Sequence, residues 1–121
     1  MKRMMLVLIL LWPVTGVGQV EAYMSGSELM KYCDGTFPND PNYNPSKFNQ
    51  CSGYLAGISD ATLQLQMWEK IPKRFCKPNS VSTKQLNAVF LKFMHRHPKT
   101  WHFSAPSLVL NAYQDAWPCK E

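Results

Sequence analysis

Apolar residues recur at steps of three and four along most of the chain, which is the period of an amphipathic helix. The longest such stripe lies in the middle of the sequence and comprises Phe48, Cys51, Leu55, Ile58, Thr62 and Leu65. Two later stripes occupy residues 86–94 and 108–116, and a shorter apolar stretch covers residues 29–33. The pattern therefore predicts four helices of unequal length.

Capping and breaking residues mark where these helices begin and end. Ser25 and Ser82 are each followed three residues later by Glu28 or Gln85, which is the capping-box pattern. Ser46 is the expected cap of the long helix, and prolines at positions 72, 98 and 118 follow the last three helices. No stretch alternates as a strand would, so the predicted class is all-α: a compact bundle of about four helices.

The first 22 residues have the composition of a secretory signal. Lys2 and Arg3 precede an apolar run from residue 4 to residue 12, and small residues follow before Tyr23. Such a segment is removed on export, and the run is too short to cross a bilayer, which takes about 20 residues. We expect a signal peptide at 1–22, cut after Ala22 or after Gly18, a mature domain at 23–121, and no membrane span in the mature chain.

The cysteines of the mature part are even in number: Cys33, Cys51, Cys76 and Cys119. In an exported chain this indicates disulfides, and four cysteines allow three connectivities. Antiparallel packing of neighbouring helices favours Cys33–Cys51 with Cys76–Cys119. Structural zinc sites place ligands about two to four residues apart, and no pair here is that close, so no metal is expected.

The residues give no indication of catalysis. His95 and His97 are two positions apart and do not share a helix face, whereas hydrolytic zinc sites use steps of four. The sequence has no paired carboxylates, phosphate-binding loop or cofactor fingerprint, and its acidic residues number 8. We therefore predict no enzyme and no cofactor. The formal charge of +5 comes from lysines and arginines that are dispersed along the chain. Nucleic-acid binding usually requires clustered basic residues, so we do not predict it.

A second stripe on the long helix consists of small residues. Gly53 and Gly57 each cost about 1 kcal/mol relative to alanine inside a helix, and close approach of another helix would offset that cost. Asp60 lies between this stripe and the apolar one, where it is expected to be partly buried and to bond a neighbouring group. We assign these three residues to helix packing.

Two irregular segments carry aromatic residues suited to anchoring a partner. The proline- and asparagine-rich loop at 34–45 contains Phe37 and Tyr43, and the linker at 97–103 contains Trp101 and His102. These four residues are the predicted partner-binding set. Trp68 lies late in the long helix, and if it is exposed it is a further candidate for partner binding.

The order of motifs resembles the Rap- and Tai-type immunity proteins of type VI secretion. The resemblance is carried by residues 28–33, by Gln50-Cys-Ser-Gly-Tyr-Leu-Ala-Gly-Ile-Ser-Asp60, by Phe75-Cys-Lys-Pro78 and by Ala116-Trp-Pro-Cys119. It implies a periplasmic helical protein that binds and inhibits a peptidoglycan amidase toxin, and it implies homodimers. An inhibitor of this kind needs a rigid scaffold and no catalytic group of its own.

Two other functions compete with this interpretation. A small periplasmic stress chaperone of the HdeA-like kind is also helical and disulfide-bonded, but its acid trigger would need carboxylates that this basic chain largely lacks. A secreted enzyme would need a catalytic site formed by residues that no sequence motif reveals. Suppression of aggregation at low pH would favour the chaperone.

Overall fold

The described residues form four α-helices: α1 (Gly26–Cys33), α2 (Pro45–Met67), α3 (Thr83–Arg96) and α4 (Ala105–Ala116). The computed structural model describes residues 21–35 and 39–120; the predicted signal segment, apart from its last two residues, and Phe37 lie outside them. Within these ranges there is no strand, only one isolated bridge between Ser25 and Ser104. The predicted all-α class is confirmed, and none of the described helices is long and apolar enough to span a membrane.

The caps of α1 and α3 are the predicted capping boxes. In α1 the hydroxyl of Ser25 accepts a hydrogen bond from the backbone of Glu28, and the Glu28 carboxylate accepts one from the Ser25 backbone at 2.7 Å. The backbone bond, followed by the bond from the Ser25 hydroxyl, lowers the pKa of Glu28. Ser82 and Gln85 form the same reciprocal pair at the start of α3.

The cap predicted for α2 is wrong by two residues. Asn44, not Ser46, caps this helix, and its side-chain oxygen accepts hydrogen bonds from the backbones of Ser46 at 2.9 Å and Lys47 at 3.3 Å. The reason is Pro45, whose fixed φ suits the first helical position and whose missing N–H costs nothing there. The helix therefore starts at Pro45 and places Ser46 inside its first turn.

The favoured disulfide connectivity is confirmed. Cys33 at the end of α1 is bonded to Cys51 in α2, and Cys76 before α3 is bonded to Cys119 after α4. The first bridge is fully buried in the core, whereas Cys76 is exposed and Cys119 half-buried. The core around the first bridge consists of apolar side chains from all four helices, chiefly Leu29, Leu55, Phe90, Met94, Leu108 and Val109.

Candidate protein-binding surface

The connector, which we define as residues 97–104, is the linker that joins α3 to α4. It opens with a 3₁₀ turn at Pro98–Thr100. Trp101 follows, and its indole N–H donates a hydrogen bond to the backbone carbonyl of Met94 at 2.7 Å. Its ring is half-buried and packs against the core. Trp101, predicted as a partner-binding residue, therefore anchors the connector to α3 and exposes only part of its ring.

The connector is also bonded to the segment that leads into α1. The backbone N–H groups of Gly26 and Ser27 donate to the carbonyls of Phe103 and Trp101, each at 2.8 Å, and Ala105 donates to Met24 at 3.0 Å. This approach needs glycine at position 26, because a Cβ there would lie 3.0 Å from the Trp101 carbonyl oxygen. The connector is consequently held on both sides by backbone hydrogen bonds.

The exposed part of the connector is an aromatic pair. The ring of His102 meets the ring of Phe103 edge-on with centroids 4.4 Å apart, and Phe103 is 50% exposed. His97, at the start of the connector, stacks on Phe93 at 4.2 Å. Exposed aromatic side chains on a fixed backbone are suited to binding a protein partner. The prediction for His102 stays open, and Phe103 joins it as a residue that the sequence analysis did not single out.

The second predicted loop lies apart from the connector. Tyr43 is 38% exposed, and its backbone N–H closes a turn by donating to the Asp40 carbonyl at 2.9 Å. This loop follows the end of α1, whereas the connector is bonded to the start of α1. An eight-residue helix is about 12 Å long. Tyr43 and His102 therefore belong to two separate surfaces.

The small-residue stripe of α2 does not pack as predicted. Gly53, Gly57 and Asp60 are all exposed, and among the described residues nothing lies within 4 Å of a Cβ built on either glycine. No helix of the described chain approaches the stripe, so packing of another helix against Gly53 and Gly57 stays a prediction, whereas the expected partial burial of Asp60 is wrong. The physical reason is that α2 packs through its other side, with Ser52 and Ser59 buried beside Leu55.

The largest exposed apolar side chains of the long helix are at its end, where Trp68 is the residue that the sequence pointed to. Met67 is 76% exposed, Trp68 is 62% exposed and Leu65 is 39% exposed. We name residues 67–73 the tip. The chain reverses there through Glu69, the one non-glycine residue with positive φ (55°) among the described residues.

Hydrogen bonds hold the tip at its base. Lys70 donates through its backbone to the Leu65 carbonyl at 2.9 Å, and Glu69 donates to Gln66 at 3.1 Å, which together form a Schellman ending of α2. The Gln66 side chain reaches across the loop, accepting from the Arg74 backbone at 2.7 Å and donating to the Phe75 carbonyl at 3.1 Å. The end of α2 is thereby joined to residues 74 and 75 on the other side of the turn.

Exposed aromatic surfaces, rather than a cluster of metal-ligating side chains, are the candidate sites among the described residues. In these ranges no group of three or more histidine, cysteine, aspartate or glutamate side chains converges as a metal site would. Apart from Tyr23 in the segment before α1, the exposed aromatic groups lie on three surfaces, namely the connector, the loop around Tyr43 and the tip. The sequence contains one indication of the tip, which is that Met67 and Trp68 come shortly before the linker that contains Pro72.

Comparison with known proteins gives one match that covers most of the chain. The family model described as Rap1a immunity proteins matches residues 25–119. Among curated proteins, none matches the chain at a significant level. The matched range begins at the cap of α1 and ends at the last cysteine of the second disulfide, so it includes all four described helices and both disulfides.

Proposed function

Because the chain belongs to the Rap1a immunity protein family, we propose that it acts in the periplasm and inhibits a peptidoglycan amidase delivered by type VI secretion. The inhibitor binds the amidase as a preformed partner and carries out no reaction itself. The observation that supports this proposal is the family match over residues 25–119, which spans all four helices and both disulfides.

The scaffold suits inhibition by occlusion. Two disulfides hold the helices together, and backbone hydrogen bonds hold the connector to the start of α1. Both limit the motion of the exposed aromatic residues before a partner binds. Side chains and loops that are already ordered lose less entropy on binding, and this preorganisation raises affinity. His102 and Phe103 on the connector and Tyr43 on the other loop are then available as contacts without rearrangement of the core.

Periplasmic action is proposed from the sequence and the disulfides together. Residues 1–22 have the composition of a cleavable signal, and residues 23–121 would form the mature domain. Disulfides persist in oxidising compartments such as the periplasm and are rare in the cytosol. The proposal also includes a homodimer, which light scattering of the purified mature chain would distinguish from a monomer.

Inhibition is tested with purified components. The mature chain is titrated into each amidase effector of the type VI system in the bacterium that carries this gene, with peptidoglycan sacculi as substrate. We expect one amidase to be inhibited at a one-to-one ratio of chains. Failure to bind or inhibit any of them would overturn the proposal.

A matching experiment in cells addresses immunity itself. Cells that lack the gene are grown with sister cells that have an active type VI system, and survival is counted with and without the full chain supplied on a plasmid. A form without residues 2–22 is the control, because it stays in the cytosol and should not protect. Equal protection by both forms would contradict periplasmic action.

A further inference from the structure

The tip combines exposed apolar side chains with a left-handed backbone conformation at a residue that is not glycine. Trp68 and Met67 are among the most exposed large apolar side chains of the described chain. Directly after them Glu69 adopts the left-handed region at φ 55°, where glycine is the usual residue. That residue is the C′ position of the Schellman ending, where a left-handed conformation is common. The exposed side chains and the turn that follows them thus belong to one ordered helix end.

The tip is rigid at its base although it projects at its end. The Gln66 amide bonds residues 74 and 75 across the turn, and Phe75 is fully buried against Tyr113 with ring centroids 5.2 Å apart. The backbone N–H of Cys76 donates to the Trp117 carbonyl at 2.8 Å, and the second disulfide fixes the same point. A seven-residue loop between two such attachments presents its side chains in a preset arrangement.

Positive charge lies beside the apolar end. Lys70, Lys73 and Arg74 are exposed, and Lys73, Arg74 and Lys120 line a depression of about 360 Å³ next to the second disulfide. Glu69 is the single acidic residue between positions 67 and 77. A partner that covers Trp68 therefore meets a cationic border on one side, and carboxylates are the groups that complement it.

We propose that the tip is a contact surface for the effector, inserting Trp68 and Met67 into an apolar recess bordered by acidic side chains while Lys73, Arg74 and Lys120 pair with those carboxylates. This inference rests on the proposed function, because it names the surface through which the immunity protein meets its toxin. The tip and the connector lie at opposite ends of α4, a helix of 12 residues and about 18 Å. One surface can thus be altered without changing the other.

An anionic membrane is the competing partner for a tryptophan flanked by lysines. Met67 and Trp68 are the two large apolar side chains that the tip exposes, a small area for insertion into a bilayer. Glu69 beside them would be repelled by anionic headgroups. A recess in a protein can match that single carboxylate with a donor, so the charge pattern favours a protein. Vesicles of phosphatidylglycerol and phosphatidylethanolamine serve as the probe for the alternative.

The test uses three variants of the full chain, each checked for thermal stability and for both disulfides. Met67→Ser with Trp68→Ser removes the apolar contact, and Lys73→Glu with Lys120→Glu reverses the charge. Tyr23→Ser with Lys31→Glu is the matched control, because both residues are exposed and lie outside the tip, the connector and the loop around Tyr43. All the altered side chains are exposed, so folding should be retained. Binding to the amidase that wild type inhibits is measured, together with protection in co-culture.

We expect the first tip variant to lose about thirty-fold in affinity, the usual loss when a tryptophan at the centre of an interface is removed. The charge variant should weaken binding most at low salt, and the control should bind as wild type does. Wild-type affinity and protection in both tip variants would overturn the inference and leave the proposed function standing. If the wild-type chain neither binds an amidase nor protects cells, both the proposed function and this inference are overturned. If the tip binds only vesicles, the inference that its partner is a protein is overturned.

Discussion

The hydroxyl of Tyr113 on α4 donates a hydrogen bond to the backbone carbonyl of Leu55 on α2 at 2.7 Å, and both residues are fully buried. The Tyr113 ring also packs against Phe75, which precedes α3. One side chain therefore joins the longest helix, the last helix and the base of the tip.

Replacing Tyr113 by phenylalanine should remove that hydrogen bond and keep the ring. We expect the free energy of unfolding at pH 7 to fall by about 1 kcal/mol, the usual net value of a buried hydrogen bond. Urea titration of both proteins measures the difference. Tyr43→Phe is the matched control, since Tyr43 is 38% exposed, and its effect should be close to zero.

The same pair of proteins should differ in their response to alkaline pH. Burial, and to a smaller degree the charge of Asp60, raises the pKa of Tyr113 above its ordinary value of 10.0. A raised folded-state pKa gives stability that is complete below the unfolded-state pKa and is lost as the pH rises towards the folded-state value. Wild type should therefore lose stability above about pH 10 more steeply than Tyr113→Phe. A constant difference between the two proteins from neutral to alkaline pH would contradict this.

Alanine should have opposite effects at two helical glycines. At position 26 its Cβ would lie 2.8 Å from the Met94 methyl carbon and 3.0 Å from the Trp101 carbonyl oxygen, so we expect a loss of about 1–3 kcal/mol from overpacking. At position 53 nothing in the described chain lies within 4 Å of the added Cβ, and helix propensity should raise stability by about 1 kcal/mol. Thermal melts of Gly26→Ala and Gly53→Ala measure both; shifts of the same sign would disagree with the structure.

Glycine at position 69 should stabilise the chain. Glu69 has φ 55°, and glycine adopts this region without the steric cost that a Cβ brings. We expect Glu69→Gly to raise the free energy of unfolding by about 0.5–1 kcal/mol, less than the full steric cost because glycine also gains entropy when unfolded. Lys70→Gly is the control, since its φ is not positive, and it should not stabilise the chain. Calorimetry of the three proteins separates these outcomes.

The two disulfides should be reduced in a fixed order under native conditions. Cys76 is exposed and Cys119 half-buried, whereas Cys33 and Cys51 are both fully buried. Thiol exchange requires access of the attacking thiolate to a sulfur atom, so dithiothreitol should open Cys76–Cys119 first. Alkylation of samples taken over time, followed by mass spectrometry of peptides, identifies the free thiols. Early alkylation at Cys33 or Cys51 would contradict the prediction.

The helices and disulfides could be predicted because each depends on local rules. Each capping box, which begins at Ser25 or Ser82, is recognised within four residues of sequence. The apolar stripe of α2 indicates that the side carrying Leu55 is buried. Once the helices were placed, the neighbouring cysteines could be paired by proximity. The cap of α2 is Asn44 rather than the predicted Ser46, because a proline can end a loop and can equally be the first residue of a helix.

The binding surfaces could not be predicted to the same degree, because exposure depends on where the bundle ends. Trp101 and Trp68 are similar in sequence context, each near the end of a helix, yet Trp101 packs against the core and bonds Met94 while Trp68 is largely exposed. Gly53 and Gly57 fit a packing stripe by spacing alone, and only the orientation of α2 shows that they face away from the other helices. Such properties arise from tertiary packing, which short-range patterns do not encode.

The hydrogen bond from Ala105 to the carbonyl of Met24 sets a limit on proteolytic trimming from the amino terminus. Among the described residues, Met24 is the first whose backbone holds the start of α4 beside the connector, and the preceding Tyr23 is almost fully exposed. A peptidase can cut after Ala22, or earlier, and leave every bond between the connector and α1 intact. A cut two residues later would remove Met24 and the hydrogen bond that Ala105 donates to it, so the fold tolerates trimming before Met24 but not beyond it.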